Sequence, residues 1–212
     1  MYLLYGKEVS MMEDKIDRRI IKTKKSLGEA LLKLLRKEKI DLIKINELCD
    51  EAKVSRATFY NNFESVVDVL SYQLGSMLYV DEDEERTWIT ASTSLDQAYR
   101  SFLTHIIHNA FFQKDTLKAI NGGLHENGMF LVAFRSSIRD GLRPVIDKYW
   151  LEIEKEIPST VLMNYLSLAL ASYLYYILLN DDNSDESVIV ENGYNMTFQL
   201  IKECLKKFPF RK

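Results

Sequence analysis

Lys44–Phe63 is the stretch that most restricts the fold. Ile45, Leu48, Cys49 and Ala52 recur at i, i+3, i+4 and i+7, which puts them on one face of a short helix from about Lys44 to Ala52. Lys53 and Val54 leave room only for a tight turn. Ser55 is a natural helix cap and opens a second short helix, about Arg56–Asn62, with Thr58 three residues on. Phe59 and Phe63 fall on its inner side. Ser55, Arg56, Ala57, Thr58, Tyr60, Asn61 and Asn62 are left for the outer side. Two short helices joined in this way match a helix-turn-helix. An αα-hairpin in an ordinary bundle, with its polar face simply wet, gives the same letters.

The outer face carries a useful chemistry. Arginine can fork onto guanine O6 and N7, asparagine onto adenine N6 and N7, and threonine or alanine can meet a thymine methyl. Serine, tyrosine and asparagine can also bond phosphate oxygens, which fixes register without reading sequence. Charge points the same way. The 212-residue chain is acidic as a whole, with 28 Lys+Arg against 31 Asp+Glu. Residues 15–64 nevertheless hold 13 basic and 8 acidic residues, a balance of +5 against −8 for the remainder. A basic segment on an acidic body suits contact with a polyanion, although scattered charge on a solvated helix produces the same count.

Helical periodicity continues on both sides. Residues 17–38 read as an amphipathic helix, with Ile20, Leu27, Leu31, Leu34 and Leu35 inward and a largely basic outer side, followed by a break at Lys39–Leu42. Ser65 should cap a helix over Val66–Tyr79, and an acidic break at Asp81–Arg86 continues to Ser94. Further helices are expected at about 94–113 and 115–121, then a turn at Gly122–Gly123. A long pattern over 128–156 is interrupted near Gly141 and Pro144. Pro158–Ser159 opens a helix to Leu179, Asn180–Asp185 reads as a loop, and a last helix spans about 186–207. Eight glycines and three prolines are too few for a turn-rich all-β fold. The expected fold class is all-α.

Several other classes receive no support. Two cysteines, Cys49 and Cys204, exclude a disulfide scaffold or a multi-cysteine zinc module and are consistent with a reducing cytoplasm. MYLLYGKEVSMM lacks the basic start, apolar run and cleavage site of a secretory signal, and residues 1 to about 10 read as an extension ahead of Met11 and Met12. The chain has no Gly-rich phosphate loop, no G-x-S-x-G and no H-E-x-x-H, so neither an enzyme nor a bound cofactor is expected. His105 and His108 have an i, i+3 spacing that can chelate a metal, but an ordinary solvent-facing pair has it too, and no metal is expected. Val161–Leu179 runs 19 residues without a charge, which reaches membrane-spanning length. Asn164, Ser167 and Ser172 interrupt it and both flanks are acidic, so a soluble helix buried in a dimer interface explains it better than a membrane-associated helical module.

Residues about 16–70 resemble the N-terminal domain of TetR-type transcriptional regulators. The most specific match is Val54-Ser55-Arg56-Ala57-Thr58-Phe59-Tyr60-Asn61-Asn62-Phe63, close to the family's V-S-x-x-T-[LF]-Y-x-[HY]-F. The opening Asp17-Arg18-Arg19-Ile20-Ile21-Lys22-Thr23-Lys24 resembles a subgroup common in Firmicutes. The resemblance implies a helix-turn-helix domain over residues 15–64 and a helical effector-binding and dimerisation domain over 65–212. It implies a cytoplasmic homodimer, paired through about 159–179 and 186–207, on a palindromic operator in double-stranded DNA. Ser55, Arg56, Ala57 and Thr58 would lie at or near base edges, Tyr60 and Asn62 on phosphates, Lys44 beside the backbone, and Asn61 on the same exposed face. A small-molecule effector would sit among the middle helices, with Tyr99, Phe102, His105, His108, Phe130 and Phe134 as candidate lining. Family habit favours a repressor released by that effector; an activator of a small-metabolite operon is the alternative. Four positions depart from the pattern: Lys44 for a capping Thr, Lys53 for a turn Gly, Asn62 for His or Tyr, and Val66 for a phosphate-touching Lys.

Overall fold

The computed structural model describes residues 2–79, 91–124, 128–153, 158–180 and 185–207, and among them every regular element is helical. The order is α1 (Tyr2–Leu35), a 3-10 turn (Ile40–Leu42), α2 (Ile45–Ala52), α3 (Arg56–Tyr60), α4 (Val66–Leu78), α5 (Leu95–Phe112), α6 (Lys114–Gly123), α7 (Met129–Ile153), α8 (Ser159–Asn180) and α9 (Glu186–Lys207). The chain divides into two compact units, Met1–Gln73 with Gly123–His125, and Leu74–Gly122 with Glu126–Lys212.

In the first unit α1 packs on α2, and α2 on α3. Leu27, Leu31, Leu48 and Phe59 are fully buried, with Leu34, Leu35, Ile40 and Ile43 nearly so. The first helix differs from expectation at both ends. It begins at Tyr2 instead of about 17, because the stretch before Asp17 holds no proline to stop it. It stops at Leu35 instead of 38. Lys37 and Glu38 close its last turn onto the Leu34 carbonyl at 2.8 and 3.1 Å, which frees the chain to turn Ile40 and Ile43 into the core.

The second unit is built from long helices. α7 lies along α8, and α5 packs against both α9 and α7. Its centre is aromatic: Tyr99, Phe102, Phe134 and Tyr194 are buried to 1% exposure or less. The Tyr99 hydroxyl donates to Thr197 Oγ1 at 2.8 Å, and Thr197 donates to the Gly193 carbonyl at 2.6 Å. That chain satisfies a phenol whose burial pushes its pKa far above the usual tyrosine range. Asn109 donates to the Leu78 carbonyl at 2.8 Å, a buried bond that closes the end of α4.

Two expected interruptions are continuous helix. Gly141 and Pro144 both lie within α7. Pro144 deprives the Asp140 carbonyl of its helical donor, but both residues face water, which can solvate that carbonyl. Ile138, Leu142, Val145, Ile146 and Tyr149 are buried on the other side and hold the helix together. Gly141 is a packing residue, since the Tyr79 ring occupies the space a Cβ would need. Gly122 and Gly123 form the last turn of α6. The bend comes later, at Gly128, whose φ of 66° is glycine territory and whose carbonyl receives the Val132 N–H at 3.0 Å. The expected break at Asp81–Arg86, the stretch 154–156, most of the Asn180–Asp185 loop and His125 lie outside the described residues.

Candidate nucleic-acid interface

The α2–α3 turn is fixed by backbone chemistry. Lys44 caps α2 from an extended conformation, with its N–H bonded to the Glu47 carboxylate at 3.0 Å. At the other end Lys53 adopts φ 58°, ψ 42°, the left-handed region that the family's turn glycine implied. The Val54 N–H reaches the Cys49 carbonyl at 3.0 Å and the Lys53 N–H the Asp50 carbonyl at 3.2 Å, the paired bonds of a Schellman motif. A lysine in that conformation carries strain of about 1 kcal/mol.

α3 starts where Ser55 says it should. Ser55 Oγ accepts the Thr58 N–H at 3.0 Å, and the two hydroxyls lie 2.8 Å apart. The helix ends at Tyr60, two residues earlier than periodicity suggests. The Asn62 amide bonds the Thr58 carbonyl at 2.8 Å, taking over a terminal acceptor. Beneath it Phe59 has no exposed surface and Phe63 very little, and Phe59 meets the Tyr60 ring edge-on at 5.4 Å. The Lys24 ammonium lies 5.8 Å from the Phe63 ring centre and 5.7 Å from that of Tyr72. Sequence reading missed this clamp, because the spacing from Lys24 to Phe63 and Tyr72 carries no local signal. A Ser–Asp box, Ser65 with Asp68, caps α4: Ser65 N donates to the carboxylate at 2.8 Å and Asp68 N to Ser65 Oγ at 3.2 Å.

The expected outer residues therefore divide. Lys44, Ser55, Arg56, Ala57 and Asn61 are exposed, and Tyr60 is 51% exposed. Thr58 and Asn62 are half-buried and tied into the helix ends. Cys49 is buried below, and burial pushes its thiol up, away from the reactive thiolate.

The six effector-lining candidates also divide. Phe102 stacks on Tyr79, Tyr99 on Phe198 with ring centres 5.0 Å apart, and Phe130 on Phe134 at 5.3 Å. Each of these four aromatics has another ring packed against it. His105 and His108 instead line a groove of about 650 Å³, open to solvent, together with Ser94, Asp96, Gln97, Arg100, Ser101 and Thr104. The polar stripe 94, 97, 101, 104 and 108 along α5 was the available sequence signal for it. His108 Nδ1 sits 3.1 Å from a Glu186 carboxylate oxygen, and among the described residues no three His, Cys, Asp or Glu side chains gather as a metal site. At the groove's edge the Arg100 guanidinium lies 3.5 Å above the Tyr194 ring and bonds Glu191 at 2.7 Å, which lowers the pKa of the Glu191 carboxyl.

On α8, Val161, Tyr165, Leu168 and Tyr176 are exposed along one side, joined on α9 by Val188 and Met196. Thr160–Asn180 is long and apolar enough to cross a membrane, with half of its apolar window buried inside the protein.

No family model matches the chain, and no curated protein matches it. Among solved structures it is similar to the crystal structure of a TetR transcriptional regulator from Streptococcus agalactiae 2603V. The identity is 22%, over 89% of this chain and 98% of that one, with a TM-score of 0.47.

Proposed function

We propose that the protein is a TetR-type, DNA-binding transcriptional regulator, working in the cytoplasm as a homodimer on a palindromic operator. One observation carries this reading. The serine-capped helix α3 is docked by Phe59 and Phe63 and turns Arg56, Ala57, Tyr60 and Asn61 to solvent, at the end of a turn that costs lysine strain. The basic balance of residues 15–64 supports it, because an acidic body leaves that segment as the natural contact for a phosphate backbone.

The proposed dimer pairs α8 and α9 with their twofold mates. The support is the apolar side of α8, which lacks any charge from Ser159 to Asn180. We further propose repression, relieved by a small molecule that shifts the dimer away from the spacing of its half-sites. The α5 groove has the volume for such a ligand. A reporter driven by the operator separates this from activation, since deleting the regulator raises expression in the first case and lowers it in the second.

The direct test is binding of full-length protein to labelled duplex at increasing salt. About six phosphate contacts per dimer predict a log–log slope near −5. Affinity that is undetectable at low salt, or indifferent to salt, contradicts the reading.

A further inference from the structure

The outer side chains of α3 are not equivalent donors, and the differences follow from bonds already made inside the helix. Ser55 Oγ accepts the Thr58 N–H and shares a hydroxyl bond with Thr58 Oγ1, so the pair retains a single free proton between two pinned oxygens. The Asn62 amide already donates to the Thr58 carbonyl and is half-buried. Ala57 has no polar side-chain atom. Asn61 is exposed but sits at the C-terminal cap, whereas the N-terminal residues of a recognition helix are the ones that reach base edges. Arg56 is the first residue of the helix, is exposed, and makes no hydrogen bond or ion pair with a described residue. Its guanidinium carbon lies 5.9 Å from the centre of the Tyr60 ring, one turn along on the same side.

We infer that Arg56 is the residue that reads operator sequence, by donating both arms of its guanidinium to O6 and N7 of one guanine in each half-site, with the Tyr60 ring behind it. The inference rests on the DNA-binding reading above and narrows it to one base pair. A planar, permanently charged fork matches the two guanine acceptors, and the Tyr60 ring 5.9 Å away is a cation–π partner for it. Ser55 and Thr58 then serve mainly to fix the helix start, which places that fork.

The experiment is selection of duplexes from a random pool by the full-length wild type and by Arg56→Ala. Arg56 is exposed and Ser55 keeps its cap, so the variant should melt with the wild type. The wild type should enrich a half-site with one dominant G·C pair, and Arg56→Ala should relax preference at that pair alone, by about ten- to a hundredfold. As a second measurement on the wild type itself, replacing that guanine with 7-deazaguanine removes N7 and should weaken binding about tenfold, with no such loss for Arg56→Ala. If Arg56→Ala keeps the wild-type consensus and only weakens binding uniformly, or if 7-deazaguanine costs the wild type nothing, Arg56 is a phosphate anchor and this inference fails while DNA binding stands. If the wild type enriches no duplex, both readings fall.

Discussion

α3 and α8 each leave one side uncovered, and the two sides are chemical opposites. α3 is five residues long and, with its Asn61 cap, offers a guanidinium, a phenol and a carboxamide. α8 is 22 residues long and offers Val161, Tyr165, Leu168 and Tyr176 with no charge anywhere along it. A helix as short as α3 has almost no intrinsic stability, so it exists because Phe59 and Phe63 are buried beneath it and Ser55 closes its first turn. α8 is anchored by Leu162, Leu166, Leu170 and Leu174 and can leave a second apolar stripe bare. A polar face on a borrowed foundation suits a charged partner that need not be desolvated completely. An apolar face on a self-sufficient helix suits a partner that removes it from water, and a second copy does so symmetrically.

Substitutions at each face break or sharpen this contrast. The largest effect is expected from Phe59→Ala, which removes the foundation of α3. Urea unfolding should show a loss of about 3–5 kcal/mol and DNA binding should vanish, while the α8 face still self-associates. Leu168→Glu attacks the other side. Because Leu168 is about half exposed, the protomer should stay folded. Sedimentation should show the dimer weakened by about 3 kcal/mol, more than a hundredfold, as two unpaired carboxylates enter the interface. A dimer unmoved by that substitution puts the interface elsewhere.

Ser55→Ala should cost about 1 kcal/mol by loss of the cap, with a matching fall in DNA affinity because the helix start loosens. Lys53→Gly should stabilise the protein by up to about 1 kcal/mol in the same urea assay, by relieving the left-handed lysine; destabilisation would mean that the turn is not strained. The smallest effect concerns acid. Arg100 lowers the pKa of Glu191, so the pair's contribution is complete above the ordinary carboxylate value of 4.5 and is lost as pH falls through the lowered folded value. Glu191→Gln should therefore lower thermal stability slightly at neutral pH, because the pair is exposed, and converge on the wild type in acid, which flattens the acid side of the profile.

What could be read from the sequence follows the reach of each interaction. Ser55 with Thr58, the Ser65 cap and the phenylalanines four apart act within one helical turn, so their spacing announced them. The left-handed Lys53 was legible only through the resemblance, in which a turn glycine stands at that position. The all-α class was legible from periodicity and the scarcity of glycine and proline. Gly141 and Pro144 misled because local propensity marks both as breakers, and only the burial of Leu142, Val145 and Ile146 keeps α7 continuous. The packing of the four aromatic candidates was illegible for a related reason. Tyr99, Phe102, Phe130 and Phe134 have the same letters whether they border a space or fill it, and here neighbours such as Phe198 and Tyr175 fill it.

The most direct measurement is a hydroxyl-radical footprint of the full-length protein on its selected duplex. Two symmetric protected patches whose centres lie one helical turn apart, about 34–36 Å, are predicted, with both lost in Tyr60→Ala. Uniform cleavage along the duplex, or protection that survives Tyr60→Ala unaltered, would contradict the account.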